Sequence, residues 1–225
     1  MLVTVLCGAL AHWQWQRGEQ KQQRLDNIET MRQKGLLDWS GVNSLPLSLN
    51  KTGLQLSLQG RLDRKHYWLL DNRTLNGRSG FDLLVLFYPL SGEQALLVNL
   101  GWLAQGKSRR QLPEVKLPEH ISIKVQLKQG ELAGFYLAGA ELVSTGWPKL
   151  IQFIDIATLA EQSGAELVNY MAYAVDDKTY AHPHYQPVVM APQKHQAYAL
   201  QWLLIGLAAV CCFIFALRSQ SQTSE

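Results

Sequence analysis

The chain has 225 residues, a net charge of +3 and an isoelectric point of about 8.7. A charge this mild, with no basic stripe interleaved with aromatic residues, argues against nucleic-acid binding. The three cysteines, Cys7, Cys211 and Cys212, lie in the apolar ends, so no disulfide framework holds the part between them. We expect one soluble domain of about 170 residues between two membrane-embedded ends.

The N-terminal end, residues 1–16, begins with the apolar run MLVTVLCGALA and continues into an aromatic belt around Trp13. The run is shorter than the ~20 residues of a full membrane helix. We interpret it as the outer half of a first transmembrane helix, which either starts upstream or is short and tilted. Residues 17–35 hold helix formers and no proline, which predicts a helical extension that ends at Gly35.

Residues 36–193 have the pattern of a β-rich domain. Short apolar or alternating runs separated by turn residues predict strands over 54–58, 66–71, 81–90, 94–102, 121–127, 149–156 and 167–175. Asn76-Gly77 is typical of a hairpin turn. One short helix is predicted over 157–162, with Asp155 as its cap. The predicted fold class is an α+β membrane protein whose domain is an antiparallel sheet or a partly closed barrel with few helices.

The C-terminal end, residues 194–218, holds an uncharged run of 21 residues, AYALQWLLIGLAAVCCFIFAL, that Arg218 closes. At about 1.5 Å per residue this run crosses a hydrocarbon core of about 30 Å, which predicts a second transmembrane helix followed by a polar tail over 219–225. His195 stands at its water boundary. Tyr198 and Trp202 follow His195 at i+3 and i+7, so the three share one helix face.

The charges that flank the two predicted spans leave the orientation open. Five basic residues follow the first span, namely Arg17, Lys21, Arg24, Arg32 and Lys34, whereas Arg218 alone flanks the second span on its far side. The positive-inside rule, applied literally, puts the domain in the cytoplasm, but the rule weakens for segments longer than about 60 residues.

Sequence signatures of enzymes are absent. No glycine-rich phosphate loop, GxSxG elbow, HExxH or CxxC motif occurs. His182-Pro183-His184 is the best metal-binding candidate, but Pro183 forces an extended backbone that splays the two imidazoles apart. We interpret this segment as a surface or membrane-proximal loop and predict that the protein is not an enzyme.

A series of motifs runs through the chain in order. These are Trp13-Gln14 with Arg17 and Lys21, Gly60, Asn72-Arg73, Gly77 with Gly80-Phe81, Pro89-Leu90, Leu97-Val98-Asn99-Leu100-Gly101-Trp102, Gly106, Arg109, Pro113, Gly146-Trp147-Pro148, Asp155, and His195 with Tyr198-Ala199 and Trp202. This order, with both membrane segments in place, resembles the surfeit locus protein 1 family of assembly factors for haem–copper oxidases. Leu100 and Gln201 depart from the family pattern, which usually has Arg and Thr there.

The resemblance implies a multi-pass protein of the bacterial inner membrane, in contact with lipid, with its domain in the periplasm and both tails in the cytoplasm. It implies a role in maturing cytochrome c oxidase. The partners would be the main subunit of the oxidase and, in addition, haem a synthase. Some bacterial members look like haem a carriers that contact the haem through the histidine at the second span. That role maps onto His195.

A haem a carrier needs an apolar slot at membrane level, an iron ligand and cations for the two propionates. His195 supplies the imidazole, and Tyr198 and Trp202 are predicted to line the slot. Arg17, with Lys21 or Arg24, is predicted to meet the propionates. We further predict that His12, at the outer end of the first span, faces His195 as a second axial ligand.

Two functions compete on this sequence. The first is a non-enzymatic haem a chaperone, and the second is a protein scaffold for oxidase assembly that binds no cofactor. A two-span sensor or binding module belongs to another class, and a membrane hydrolase or oxidoreductase lacks a catalytic set of residues. The loop 73–80 is open to two interpretations, a turn of the fold or a partner contact.

Overall fold

The computed structural model describes residues 2–90, 92, 94–106, 112–132, 146–176 and 180–222. Its elements in chain order are α1 (Leu2–Arg32), β1 (Leu36–Leu37), α2 (Trp39–Asn43), β2 (Gln55–Leu75), β3 (Arg78–Pro89), β4 (Ala95–Ala104), β5 (His120–Gln129), β6 (Lys149–Ile151), α3 (Ile156–Ser163), β7 (Leu167–Ala174) and α4 (Pro192–Gln222). Two compact units result. The helical unit comprises Met1–Asn27 and Gln186–Glu225, and the sheet unit comprises Ile28–Tyr185.

The sheet of the sheet unit closes on itself. Each strand in the order β2, β3, β4, β7 and β5 pairs with the next, and β5 pairs back with β2. A closed circuit removes the unpaired edges that an open sheet presents. Three pairs are parallel, namely β4 with β7, β1 with β2 and β6 with β2, so the sheet is mixed and not the antiparallel sheet of the first alternative. The closed circuit agrees with the second alternative, a partly closed barrel. A parallel neighbour needs a long crossover, and β5, β6 and α3 lie between β4 and β7 in the chain.

One core fills the circuit and a second covers its outside. Leu56, Val85 and Val98 belong to the inner cluster, whereas Trp68 and Leu97 belong to the outer one. The outer cluster also takes in Leu159 of α3. Because both of their faces are buried, β3 and β4 are nearly continuous apolar runs and show no alternation.

The two predicted strands 54–58 and 66–71 are one strand in the structure. β2 runs for 21 residues, and its register against β3 shifts between Leu62 and Tyr67 and again between Leu70 and Arg73. These irregularities bend β2, so that one strand contacts β3 along its length, β5 at its start and β6 further on. The charged bulge in the middle of β2 resembled a turn in the sequence.

Other local predictions are confirmed. Asn76 and Gly77 adopt positive φ values of 50° and 75° and join β2 to β3 as the predicted hairpin. Helix α3 ends at Gly164, whose φ of 69° closes it in the left-handed conformation. Asp155 occupies the N-cap position of α3, but its carboxylate accepts the Thr158 hydroxyl at 2.6 Å and no backbone N–H. The strand predicted over 149–156 is short, ending at Ile151.

The helical unit contains one helix of transmembrane character among the residues described. The most apolar window of Pro192–Arg218 has a mean hydropathy of 2.4, and 6% of it is buried within the protein. So low a buried share argues against the core helix of a soluble domain. The first transmembrane helix predicted over residues 1–16 is not confirmed, because charged residues interrupt α1 from Arg17 onward. Helix α4 continues to Gln222, into the predicted tail.

Candidate functional site

Helices α1 and α4 of the helical unit pack antiparallel along a seam of regularly spaced residues. The helix seam comprises Cys7, Ala11, Gln14 and Gly18 of α1 and His195, Ala199, Trp202 and Gly206 of α4. Both sets follow the alternating three- and four-residue spacing with which one helix contacts another. Most members are small, which lets two backbones approach closely, as in membrane helix pairs.

The close approach is most direct at the two glycines of the seam. A Cβ built on Gly206 would lie 3.2 Å from the Cβ of Cys7. A Cβ built on Gly18 would lie 3.4 Å from the Cβ of His195 and equally far from the Pro192 carbonyl oxygen. The backbone of α1 therefore lies directly against the first turn of α4, where His195 stands.

His195 makes one polar contact across the helix seam. Its Nδ1 lies 2.8 Å from Oε1 of Gln14, a residue 181 positions earlier. An amide oxygen only accepts hydrogen bonds, so Nδ1–H donates, and in a neutral imidazole the lone pair is then on Nε2. The side chain is half-buried. The arrangement fixes the ring and leaves Nε2 as a base or a ligand.

The other predicted site residues differ in their placement. Trp202 lies on the helix seam and is half-buried, whereas Tyr198 lies beside it with 46% exposure. Arg17 is exposed, with its guanidinium 5.7 Å from the ring centre of Trp13 and 3.3 Å from the Gln20 amide oxygen. The structure therefore brings His195 and Trp202 onto one face and leaves Tyr198 at its margin.

His12 does not meet His195. It precedes Gln14 by two residues, which turns it about 200° around α1, and its side chain is exposed. Gln14, which the sequence analysis named only within a motif, takes the position opposite His195. Lys21 follows Gly18 at the next seam spacing and is half-buried on the same face of α1.

A second histidine site lies in the sheet unit and centres on Asp82, whose exposure is 4%. Asp82 Oδ1 lies 2.6 Å from Nε2 of His184, and Oδ2 accepts a hydrogen bond of 2.9 Å from the Asn99 amide. Oδ1 of the Asn99 side chain accepts the backbone N–H of Gly101 at 2.8 Å. Arg73 Nε is 3.9 Å from Oδ2, the distance of a loose ion pair. We call these residues the Asp82 network.

Comparison with known proteins identifies the family. The model of the SURF1 family, the surfeit locus protein 1 family of the sequence analysis, matches residues 1–207. The chain belongs to the SURF1 family. The resemblance inferred from the ordered motifs is thereby confirmed. A search of the curated proteins finds no match.

The SURF1 family is associated with cytochrome c oxidase assembly and consists of assembly factors rather than catalysts. Family membership and the apolar α4 together indicate a membrane protein. Within the described residues, no group of three or more His, Cys, Asp or Glu side chains is arranged to hold a metal ion.

The SURF1 motif around Gly101-Trp102 builds the Asp82 network and the contact of the 182–184 segment with β4. Trp102 and His182 exchange both backbone hydrogen bonds, at 2.8 and 2.9 Å. Gly101 has a φ of 124°, and a Cβ there would lie 2.5 Å from the His182 carbonyl carbon. Only glycine fits this close approach.

The loop predicted around His182-Pro183-His184 is thus attached to the sheet. The imidazole of His182 is exposed beside Trp102, while that of His184 reaches Asp82. Tyr185 stacks on Tyr173 with ring centres 3.8 Å apart. Burial raises the pKa of the Tyr173 phenol, and the neighbouring Tyr185 and Asp82 raise it further. No local pattern pointed to Asp82, because it lies inside an apolar strand and its histidine is 102 residues away. Arg109 of the motif series lies outside the described residues.

Proposed function

We propose that this SURF1-family protein holds haem a and delivers it to the main subunit of cytochrome c oxidase. The observation that carries the proposal is the hydrogen bond from His195 Nδ1 to Gln14, because it leaves the Nε2 lone pair available for an axial bond to iron. Ligating histidines commonly donate their other ring N–H to an oxygen, which fixes the tautomer and raises the basicity of the ligand.

The chain around His195 fits the apolar body of the cargo. Haem a supplies an iron that takes a nitrogen ligand and a macrocycle that prefers apolar surroundings. Tyr198 is exposed beside the helix seam and Trp202 is half-buried on it, so their rings would flank a planar group bound at Nε2. Ile205, exposed seven residues after Tyr198 and so on the same face of α4, extends this apolar surface.

Two cations of α1 suit the propionates. Arg17 is exposed one residue before Gly18, and Gly18 lies against His195. Lys21 is half-buried one turn further along the same helix. Guanidinium and ammonium groups pair well with carboxylates, and such pairs are stronger where water is partly excluded. Arg17 and Lys21 would therefore orient the haem with its propionates away from the apolar end of α4.

Membership of a membrane-associated family supports our proposal for the cellular setting. We place the protein in the inner membrane of a bacterium as a multi-pass protein, with residues 1–16 completing a first span, the sheet unit in the periplasm and both tails in the cytoplasm. The main subunit of the oxidase is the acceptor of the haem and haem a synthase its donor. An alkaline phosphatase fusion inserted in the 73–80 loop tests the orientation. It should be active, and an inactive fusion with an active cytoplasmic reporter would reverse the orientation.

The experiment is an absorption spectrum of the full chain, purified in mild detergent from cells that also make haem a. The wild-type protein should carry haem a, and His195→Ala should lose it. His12→Ala serves as a matched control, because it removes an exposed imidazole of the same unit. If His12→Ala also changes the spectrum, the His12 ligand predicted from the sequence comes from a rearranged helix pair or a second molecule.

A haem-free wild-type protein that copurifies with the main subunit of the oxidase would replace this proposal with the scaffold function. In that case His195 is an interfacial histidine that contacts Gln14.

A further inference from the structure

A groove of the sheet unit lies where the pairing of β2 is interrupted. On one edge, β2 pairs with β5 up to Arg61 and with β6 only from Trp68 onward. On its other edge, the register against β3 skips from Leu62 to Tyr67. Residues 63–66 therefore bulge out of the sheet and line, with residues 115–119, an open groove of about 790 Å³. A volume of this size is typical of ligand sites.

Asp63 holds the bulge in shape from inside. Its Oδ1 accepts the backbone N–H groups of Lys65 and His66 at 2.8 and 3.0 Å, and its Oδ2 lies 2.8 Å from His66 Nδ1. This carboxylate is therefore engaged in contacts within the protein itself. The same bonds also occupy two backbone N–H groups that would otherwise be free to bind an anion.

Among the residues that the structure describes, the cationic side chains of the groove, unlike the Asp63 carboxylate, are not engaged by groups of opposite charge. Arg64, Lys65 and Lys116 line it, and no ion pair connects their side chains to another residue within the described part of the chain. Arg61, also in the lining, places its guanidinium 4.5 Å from the ring centre of Tyr88. Against these four cations stand Asp63, which is already bonded, and Glu119. The groove therefore presents a net positive field.

Aromatic rings border the cations. The His66 ring packs edge-on against Trp147 with centres 4.9 Å apart, and Lys149 Nζ lies 5.3 Å from the Trp147 ring centre. Trp147 also packs against Trp68 of the outer core, which fixes its position. Half-buried aromatic rings beside arginine side chains are typical of protein interfaces.

We propose that this groove binds an acidic segment of a partner protein. The cations are spread over two chain segments around an open groove, which suits several carboxylates along an extended chain. A single phosphate is a poorer fit, because the backbone N–H groups that would form an anion nest are bonded to Asp63. Glu119 within the groove disfavours a uniformly anionic lipid surface. This proposal does not rest on the haem site proposed above.

The test uses the full chain in neutral detergent and a fluorescein-labelled peptide with Glu at alternate positions. The wild type should bind this peptide more tightly than the same peptide with Gln, with an affinity that falls as salt is added. Arg64→Gln with Lys65→Gln should weaken binding about tenfold. The matched control, Arg78→Gln with Lys124→Gln, removes two exposed cations outside the groove and should change the affinity by less than about twofold.

A charge-reversed variant guards against a non-specific loss. Arg64→Glu with Lys65→Glu should reject the Glu peptide and bind a Lys peptide of the same spacing. The proposal is overturned if the groove variant binds the Glu peptide as well as the control variant does. It is also overturned if inorganic phosphate displaces the peptide completely at an ionic strength at which chloride leaves it bound, or if mixed micelles of phosphatidylglycerol and detergent bind through Arg64 and Lys65 more tightly than the peptide. The haem spectra of these variants should be unchanged. The outcome of this test therefore does not depend on the haem proposal.

Discussion

The two histidine sites of this protein differ in whether the imidazole Nε2 is available to bind a ligand. His184 in the sheet unit reaches Asp82, a carboxylate with 4% exposure that Asn99 also contacts. His195 in the helical unit contacts Gln14, a neutral and half-buried amide, across a seam of small residues. The first histidine belongs to a buried network whose loss leaves a carboxylate short of a donor. The second has one orienting bond and an available nitrogen.

A structural histidine can therefore be distinguished from a candidate ligand by the charge of its hydrogen-bond partner and by how deeply that partner is buried. Both rings make a short contact with an oxygen, at 2.6 and 2.8 Å, so distance alone does not distinguish them. Removing a partner from a buried charged group costs the full desolvation of that group, whereas a half-buried amide turns to water at little cost. Stability measurements should therefore report on His184, and haem spectra on His195.

The largest effect is expected at Gly101, which brings the 182–184 segment to β4. Gly101→Ala places a Cβ within 2.5 Å of the His182 backbone at a φ of 124°, and we expect it to destabilise the protein by about 3–5 kcal/mol. Gly130→Ala is the control, since its φ of 79° is also positive but nothing lies within 4 Å. It should cost about 1 kcal/mol. Equal losses in chemical unfolding would contradict the close approach.

His184→Ala should reduce the free energy of unfolding by about 2 kcal/mol, because it removes a partner of the buried Asp82 carboxylate. His182→Ala, two residues away with an exposed ring, should stay within about 0.5 kcal/mol. Denaturant unfolding of both variants measures the difference. Neither substitution should alter the haem spectrum, and a loss of haem in His184→Ala alone would exchange the roles assigned to the two histidines.

Gln14→Leu should weaken haem a binding about tenfold, since it removes the acceptor that orients His195. Gln14→Glu retains an oxygen at the same place and should bind haem like the wild type. Titration of the haem-free protein with haem a, followed by absorption, provides both affinities. If the two variants bind equally, the bond across the helix seam has no part in ligand binding.

The smallest effect on stability is expected at Asp63, a residue near the surface that contacts a third histidine, His66. Burial raises the pKa of the Asp63 carboxyl, but hydrogen bonds from the backbone and ring of His66 and the backbone of Lys65 outweigh it and lower the pKa below 3.8. A lowered folded-state pKa adds stability above the unfolded pKa, and this stability is lost as the pH falls. Asp63→Asn should therefore cost less than about 1 kcal/mol at pH 7 and nothing at acid pH. A cost that persists in acid would contradict the sign.

Local patterns predicted much of the sheet unit. Alternation and turn residues were sufficient for β5, the Asn76-Gly77 hairpin and α3, because each depends on neighbours in the chain. The length of β2 could not be predicted, since the bulge at residues 63–66 carries the charges of a loop and continues the strand only because β3 and β6 resume pairing beyond it.

The candidate site was predicted only in part. Family motifs and helical spacing led to His195 and Trp202, which the structure places on one face. They did not lead to the contact with Gln14 across 181 positions, nor to that of His184 with Asp82 across 102. Such polar pairs leave no periodic signal, because one hydrogen bond across a packed surface constrains only two residues.

The central claim is that His195 Nε2 is the iron ligand of a haem a carrier. The most direct test replaces the side chain by Gly and adds imidazole to the full-length His195→Gly protein in the presence of haem a. Because the Gln14 amide remains in place to orient a free imidazole, added imidazole should restore the absorption spectrum of the wild type. A variant with the wild-type spectrum before imidazole is added, or one that imidazole leaves unchanged, would contradict the assignment.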